Sequence, residues 1–445
     1  MRKGYSKPLE VVCNVEYGTR VVQKRDGGKG YPVYGGGGAT FEMDKFNRED
    51  RLVVARFGMS EESTRFVVGK FFLNDSGLTV SPKNSEMLQR FLDLQLLSLN
   101  DDIYAIGKGT AQKNLDVPVF RTLPLYVPES RAEQQRIVGI LDEAFEGIAT
   151  AKVNAERNLR NASAIFESHL QASFSQPAEG DAVAKRAIDG GSREDRKTAG
   201  DQRHAAASRD RSSVADSRST KTGGRDATLR HIRGDYSLSV GMPTTSPKDG
   251  WQWSSLSELS RLESGHTPSR KHSEYWGGTI PWLGIQDARE HHGGRISQTL
   301  QYTNELGIAN SSARVLPPNT VCLSRTASVG YVVVTNAPMA TSQDFVNWVC
   351  SAKLNPDFLK YLILAEGRKG LLRFASGSVH QTIYFPEAKA FHICHPSSKE
   401  QARIVAKLDA LRTATSRLAG AYSKKLVAIK LLKQSMLHEA FSGHL

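Results

Sequence analysis

Cysteine is scarce: four in 445 residues, at Cys13, Cys322, Cys350 and Cys394, with no Cys-x-x-Cys pair. That excludes a disulfide framework and a thiolate metal site, and predicts reduced thiols in a cytoplasmic protein. No apolar run approaches the length needed to cross a bilayer. Met1 to Glu10 carries charge with no apolar stretch behind it, so neither a secretory signal nor a membrane partner is expected. Catalytic patterns are missing too. Gly107-Lys108-Gly109-Thr110 lacks the upstream glycine and the spacing of a phosphate loop. Asn355-Pro356-Asp357-Phe358 lacks the second proline of an amino-methyltransferase motif and is better read as a helix start. Asp357 and Glu366 lack the lysine that a nuclease would place after the glutamate. His291, His292, His380, His392 and His395 have no partners at metal-ligand spacing. No catalytic or metal-binding residue is assigned, no cofactor is expected in this chain, and an enzyme is the least favoured reading.

What is present occurs twice. Ser130-Arg131-Ala132-Glu133-Gln134-Gln135-Arg136-Ile137-Val138 opens one helical run, and Ser397-Ser398-Lys399-Glu400-Gln401-Ala402-Arg403-Ile404-Val405 opens another. Each follows a proline, Pro128 or Pro396, and each has serine three residues before glutamate, the pattern of a capping box. The alignment persists to Phe174-Ser175 and Phe441-Ser442, and such a repeat has to be read before anything else.

Apolar residues recur at alternating spacings of three and four: Ile137, Leu141, Ile148 and Leu159 in the first run, Ile404, Leu408, Leu411, Leu418, Leu426 and Ile429 in the second. This predicts two helices of roughly 44 residues, about 66 Å long, each with a narrow stripe to bury. Large residues of one copy match small ones of the other, Leu418 with Ala151 and Tyr422 with Ala155. An antiparallel pair within the chain is favoured over helices packed on their own halves or paired between two chains.

The remaining chain reads as domain, helix, linker, domain, helix. Residues 1–128 form a first globular part with β-type segments at Glu10–Val12, Thr19–Val22, Arg51–Arg56 and Arg65–Val68, and a helical pattern over Ser85–Asn100. Residues 129–175 carry the first long helix. Residues 176–248 are rich in Ser, Arg, Asp, Ala, Gly and Thr and poor in aromatics, which predicts a disordered linker. Residues 249–396 form a second globular part with β-type segments at Thr320–Arg325, Gly330–Thr335 and Phe345–Cys350, and residues 397–445 carry the second long helix. The fold class is α+β: two α/β domains separated by two long antiparallel helices with pseudo-two-fold symmetry and a disordered central linker.

The net charge of +13 and a pI of about 9.5 favour a polyanionic partner. Residue types suited to phosphates and base edges sit at matching places. Thr110, Gln112, Lys113 and Asn114 follow Gly109, and Ser378, His380, Gln381 and Thr382 follow Gly377. Arg270, Lys271 and Tyr275 lie in a turn-rich stretch, Tyr34 precedes Gly35 to Gly38, and Arg56 and Arg325 end β-type segments that echo one another. Trp276 and Trp282 are read as core.

These residues resemble the specificity (S) subunits of type I restriction–modification systems. Gly265-His266-Thr267-Pro268-Ser269 followed by Tyr275-Trp276-Gly277-Gly278-Thr279-Ile280-Pro281-Trp282-Leu283 is similar to the opening of a family target-recognition domain, and Tyr31 to Gly38 to a variant of it. The Glu-Gln-x-Arg-Ile-Val openings of both helices resemble the family's conserved regions. The first half departs from the pattern by lacking Gly-x-Thr-Pro-Ser. The resemblance implies two target-recognition domains, each reading half of a bipartite site in double-stranded DNA. It implies helices that act as a ruler and dock two methyltransferase subunits, with restriction subunits joining the larger complex. S-adenosylmethionine, magnesium and ATP would belong to those partners. Two alternatives remain, the recognition subunit of a type II restriction–methylation enzyme and a non-catalytic coiled-coil interaction adaptor.

Overall fold

The computed structural model describes residues 4–175, 231–326, 328–377 and 380–442. Ser378 and residues 176–230 of the expected linker lie outside the described residues. The chain divides into two compact units, Met1–Asn161 with Leu418–Leu445, and Ala162–Arg417. No described helix is long and apolar enough to cross a membrane.

The first unit holds a six-stranded sheet in the order Cys13–Tyr17, Gly77–Pro82, Arg48–Ala55, Thr64–Leu73, Tyr31–Gly35, Gly38–Met43. Its pairs are antiparallel except Tyr31–Gly35 with Thr64–Leu73. Leu52, Val53, Val54 and Ala55 are all buried, because both faces of their strand are covered. The helix Gln89–Ser98 inserts Phe91, Leu92, Leu94 and Leu96 into the core. Two expected strands are absent. Leu9–Val12 is a single helical turn, and Thr19–Val22 lies outside any strand. Local β propensity at both sites yields to the tertiary path of the chain.

The second unit holds a five-stranded sheet in the order Ser260–Ser264, Phe345–Cys350, Thr320–Ser324, Val332–Thr335, Arg295–Ile296. Asn355 caps the helix Pro356–Leu371, its Oδ1 accepting from the amides of Asp357 at 2.9 Å and Phe358 at 3.3 Å. A four-stranded sheet runs Ile232–Arg233, Leu238–Val240, Phe391–His395, Gln252–Ser255. Its first two strands correct the expected linker, which had reached residue 248. The Asp235–Gly241 stretch looks polar, yet Leu238 and Val240 are buried, and the amides of Asp235 and Tyr236 donate to Glu366 at 2.9 and 2.8 Å. Backbone pairing and one buried carboxylate order a segment whose composition predicts none.

The long helices span Arg131–Phe174 and Ser398–Ser442. Ser130 and Ser397 accept from the amides of Glu133 and Glu400 at 3.2 and 3.4 Å. The two carboxylates are gripped one turn on by Arg136 and Arg403. In the first unit Lys433 lies 4.8 Å over the Phe145 ring and Asn158 donates to the Tyr422 hydroxyl at 3.1 Å. Numbers rise on one helix as they fall on the other, so the pair is antiparallel. Phe91 and Phe441 meet edge-on at 5.3 Å in the same core as Ile137, Leu141, Leu437 and Ala440. In the second unit Leu170 and Phe174 share a core with Val405 and Leu408.

The expected stripe is largely in place. Ile137, Leu141 and Leu408 are buried, and Ile148, Leu159, Ile404, Leu411, Leu426 and Ile429 are half-buried. Leu418 is the exception, at 41% exposure. The stripe passes through Thr415, Ala419 and Tyr422, which leaves Leu418 about 100° round the helix.

Leu437→Ala is therefore expected to destabilise the protein by about 3 kcal/mol in denaturant unfolding, whereas Leu418→Ala changes it by less than about 0.5 kcal/mol. Burial raises the Glu366 pKa from 4.5 to about 7, so the folded state holds that proton more tightly. Its contribution to stability is full below pH 4.5 and is lost as pH rises through about 7. Thermal unfolding of Glu366→Gln across pH 4–8 is expected to lack that decline.

Candidate nucleic-acid interface

One backbone framework is built twice. In the first unit the one-turn helix Leu9–Val12 leads into Cys13–Tyr17 and then Gly18, and in the second Leu256–Leu259 leads into Ser260–Ser264 and then Gly265. The amide of Thr19 donates to the carbonyl of Leu73 at 3.0 Å, and that of His266 to Thr341 at 2.8 Å. A Cβ on Gly18 would stand 1.8 Å from the Asn74 carbonyl oxygen, and one on Gly265 would stand 1.9 Å from that of Ser342. Gly18-Thr19-Arg20 is thus the first unit's counterpart of Gly265-His266-Thr267. Sequence reading missed it because no Pro-Ser follows. Its position after a one-turn helix and a five-residue strand was the available signal.

The arginines match as closely. The Arg56 amide donates to the Ser76 carbonyl at 2.8 Å and the Arg325 amide to that of Asp344 at 2.7 Å. The carbonyl of Arg56 accepts from Leu115, and that of Arg325 from Ile383, both at 2.8 Å. The turns at Gly109 and Gly377 have φ of +118° and +115°, and each brings a glycine against the carbonyl three residues on, Gln112 or His380. Two candidate segments far apart in sequence, an arginine strand end and a glycine turn, are thereby joined side by side in each unit.

The side chains then diverge. The Arg56 guanidinium lies 4.9 Å from the Tyr17 ring and 4.5 Å from the Phe57 ring, both rings exposed. Thr110 and Gln112 are exposed, Lys113 lies 3.9 Å over Tyr104, and the Asn114 Oδ1 accepts from the Gly58 amide at 3.3 Å. Tyr34 packs edge-on against Phe71 at 5.5 Å, so its ring serves the core. In the second unit Arg325 lies over Phe385 at 5.2 Å, and burial lowers its pKa from the usual arginine value. His380 and Gln381 are exposed, but Thr382 is buried and its hydroxyl is bonded to Thr326 at 2.7 Å, which makes it a structural residue. Arg270 stacks 4.6 Å from Trp276 and 5.2 Å from Trp282 and donates to Gln301 at 2.8 Å. Lys271 is exposed, and Tyr275 stacks on His272 at 4.8 Å. Trp282 is buried as expected and Trp276 is half-buried. Among the described residues no group of three or more His, Cys, Asp or Glu could hold a metal.

A second missed pair fastens the helices to this framework. Gln134 and Gln401 are 1% and 0% exposed. Gln134 accepts from the Leu88 amide at 2.8 Å and donates to the Glu86 carbonyl at 2.8 Å. Gln401 accepts from the Asn355 amide at 2.9 Å and donates to the carbonyls of Lys353 and Pro396 at 3.1 and 3.0 Å. Leu88 and Asn355 each cap a domain helix, so the repeated Glu-Gln couples a long helix to a short one.

A family model described as the type I restriction modification DNA specificity domain matches residues 7–157 and 248–426, most of the chain. The chain belongs to this specificity-domain family. Within the family it is similar to the type I restriction enzyme MjaIX specificity subunit of Methanocaldococcus jannaschii, 30% identical over 163 residues, 36% of this chain and 38% of that one. The HindI specificity subunit of Haemophilus influenzae is 31% identical over 117 residues, 26% of this chain and 25% of that one. The chain thus aligns with well under two thirds of either relative. A chain solved in a study of complex assembly and conformational transition of the type I R-M system superposes with a TM-score of 0.66 at 15% identity, covering 99% of this chain and 98% of that one. The HsdS subunit from Thermoanaerobacter tengcongensis gives 0.50 at 16% identity over 99% and 97%. These structural likenesses establish the specificity-subunit fold.

In this specificity fold the glycine turns hold the candidate residues in register. Gly109→Ala is expected to cost at least about 1–2 kcal/mol locally, because a Cβ there would stand 2.2 Å from the Gln112 carbonyl oxygen as well as forcing a positive φ on alanine. Hydrogen exchange at the Leu115 and Met59 amides is expected to speed up about tenfold while exchange at Leu52 is unchanged.

Proposed function

We propose that this chain is the sequence-specificity subunit of a type I restriction–modification complex and performs no catalysis itself. Each unit reads one half of a bipartite site in double-stranded DNA. The observation that carries this reading is the doubled framework, an arginine strand end beside a glycine turn, in a chain of the DNA specificity family. Arginine forks, glutamine and asparagine amides match base edges in the major groove, while lysines and the net positive charge suit phosphates. The candidates are Arg56, Thr110, Gln112, Lys113 and Asn114 in the first unit, and Arg270, Lys271, Tyr275, Arg325, Ser378, His380 and Gln381 in the second.

The long helices set the spacer and dock two methyltransferase subunits, with restriction subunits completing the complex. S-adenosylmethionine, magnesium and ATP are bound by those partners, and the complex works in the cytoplasm. Co-expression with the methyltransferase partner, followed by single-molecule mapping of methylated adenines, tests the reading. A split motif is expected, with its two halves changing separately when either globular part is exchanged; a stable complex that methylates a continuous site would refute it. Seven residues inserted in register after Ala151 and after Leu418 lengthen each helix by about 10 Å, so the spacer is expected to grow by about three base pairs. An unchanged spacer rules out the ruler.

A further inference from the structure

In the first unit, the groups that can read bases converge on one loop, Arg56 to Met59. Asn114 binds its Gly58 amide at 3.3 Å, and the Gln112 side-chain amide lies so near that a Cβ on Gly58 would meet it at 2.9 Å. The Leu115 and Met59 amides bond across to the Arg56 and Lys113 carbonyls at 2.8 and 2.9 Å, which makes the loop and the glycine turn one unit. Arg56 lies over both the Tyr17 and the Phe57 rings, and its Nη1 donates to the Asp75 carbonyl at 3.5 Å, a long bond. Two exposed rings thus back a guanidinium whose other N–H groups have no hydrogen-bond partner among the described residues, and stacking lowers the entropy lost when that fork binds. The matching arginine differs: Arg325 is drawn inward over Phe385, and its Nε is buried. In the second unit the stacked, exposed arginine is Arg270. The second unit thus has an aromatic-backed arginine at the matching place, Arg325, but turns it inward and presents another, Arg270, from a different loop.

We propose that Arg56, held by Tyr17 and Phe57, donates two parallel hydrogen bonds to O6 and N7 of a guanine in the first unit's half-site, and that Tyr17 and Phe57 are positioning residues. This rests on the bipartite reading above and adds to it a base, a groove and an atom pair. A bidentate arginine–guanine contact accounts for roughly 10- to 100-fold discrimination at one base pair.

The test is methylation mapping with the complete complex carrying Arg56→Ala, Arg56→Lys, Tyr17→Ala with Phe57→Ala, Arg270→Ala, and exposed Val68→Ser as a control. Arg56→Ala is expected to make one G·C position degenerate in one half of the motif. Arg56→Lys keeps the charge but not the fork, and is expected to relax the same position with the complex intact, which covers the case in which the alanine variant fails to fold. Removing both rings is expected to relax that position less, and Arg270→Ala to affect only the other half. A motif unchanged in both Arg56 variants overturns the proposal, as does equal weakening at every position. No split motif in the unaltered complex sinks the underlying reading as well.

Discussion

Two buried amide side chains hold this architecture together. Gln134 and Gln401 each accept from the amide that opens a domain helix and donate to nearby carbonyls, with almost no exposure to water. A buried primary amide left without partners costs a few kcal/mol, so each has one orientation relative to its domain. The adjacent Ile137 and Leu141, or Val405 and Leu408, then enter the cores in register. The glycine turns and arginine strand ends are reached through the same domains, so their placement depends on that coupling.

The two halves solve one local problem differently. In the first unit the strand Pro124–Pro128 pairs on one side with Gly4–Pro8, and on the other the buried Gln95 side-chain amide comes within hydrogen-bonding distance of the Tyr126 backbone. In the second, the equivalent edge at Cys394 receives the Ser237 carbonyl, with Leu238–Val240 continuing as a strand. A side chain in one half does the work of a strand in the other, which satisfies the backbone either way.

Much of this was legible in the sequence. Serine caps, the helix stripe, the strands at Arg51–Arg56 and Phe345–Cys350 and the Asn355 helix start all carry local signals, and repetition doubled the caps, the stripe and the Arg51–Arg56 segment. The misses share a physical cause: their signals are not local. Leu9–Val12 has β-type residues but makes a single turn before the strand Cys13–Tyr17. Leu418 fits a three-four spacing that the neighbouring Ala419 fits better once the partner helix is present. Residues 231–248 look like linker because their order comes from an edge strand and from Glu366, far along the chain. In the site, the residue types at Arg56 and the Gly109 turn could be read in advance. That they lie side by side could not, and Tyr17 and Phe57 show no motif at all.

Each long helix begins in one unit and ends in the other, giving Leu170 and Phe174 to the second core and Leu437 and Ala440 to the first. Neither core is complete without a segment whose far end is anchored elsewhere. Unfolding one unit strips its apolar partners from both helices and weakens the helical turns that enter the other. Calorimetry of the intact chain should accordingly approach a single transition, with cooperativity carried by shared secondary structure.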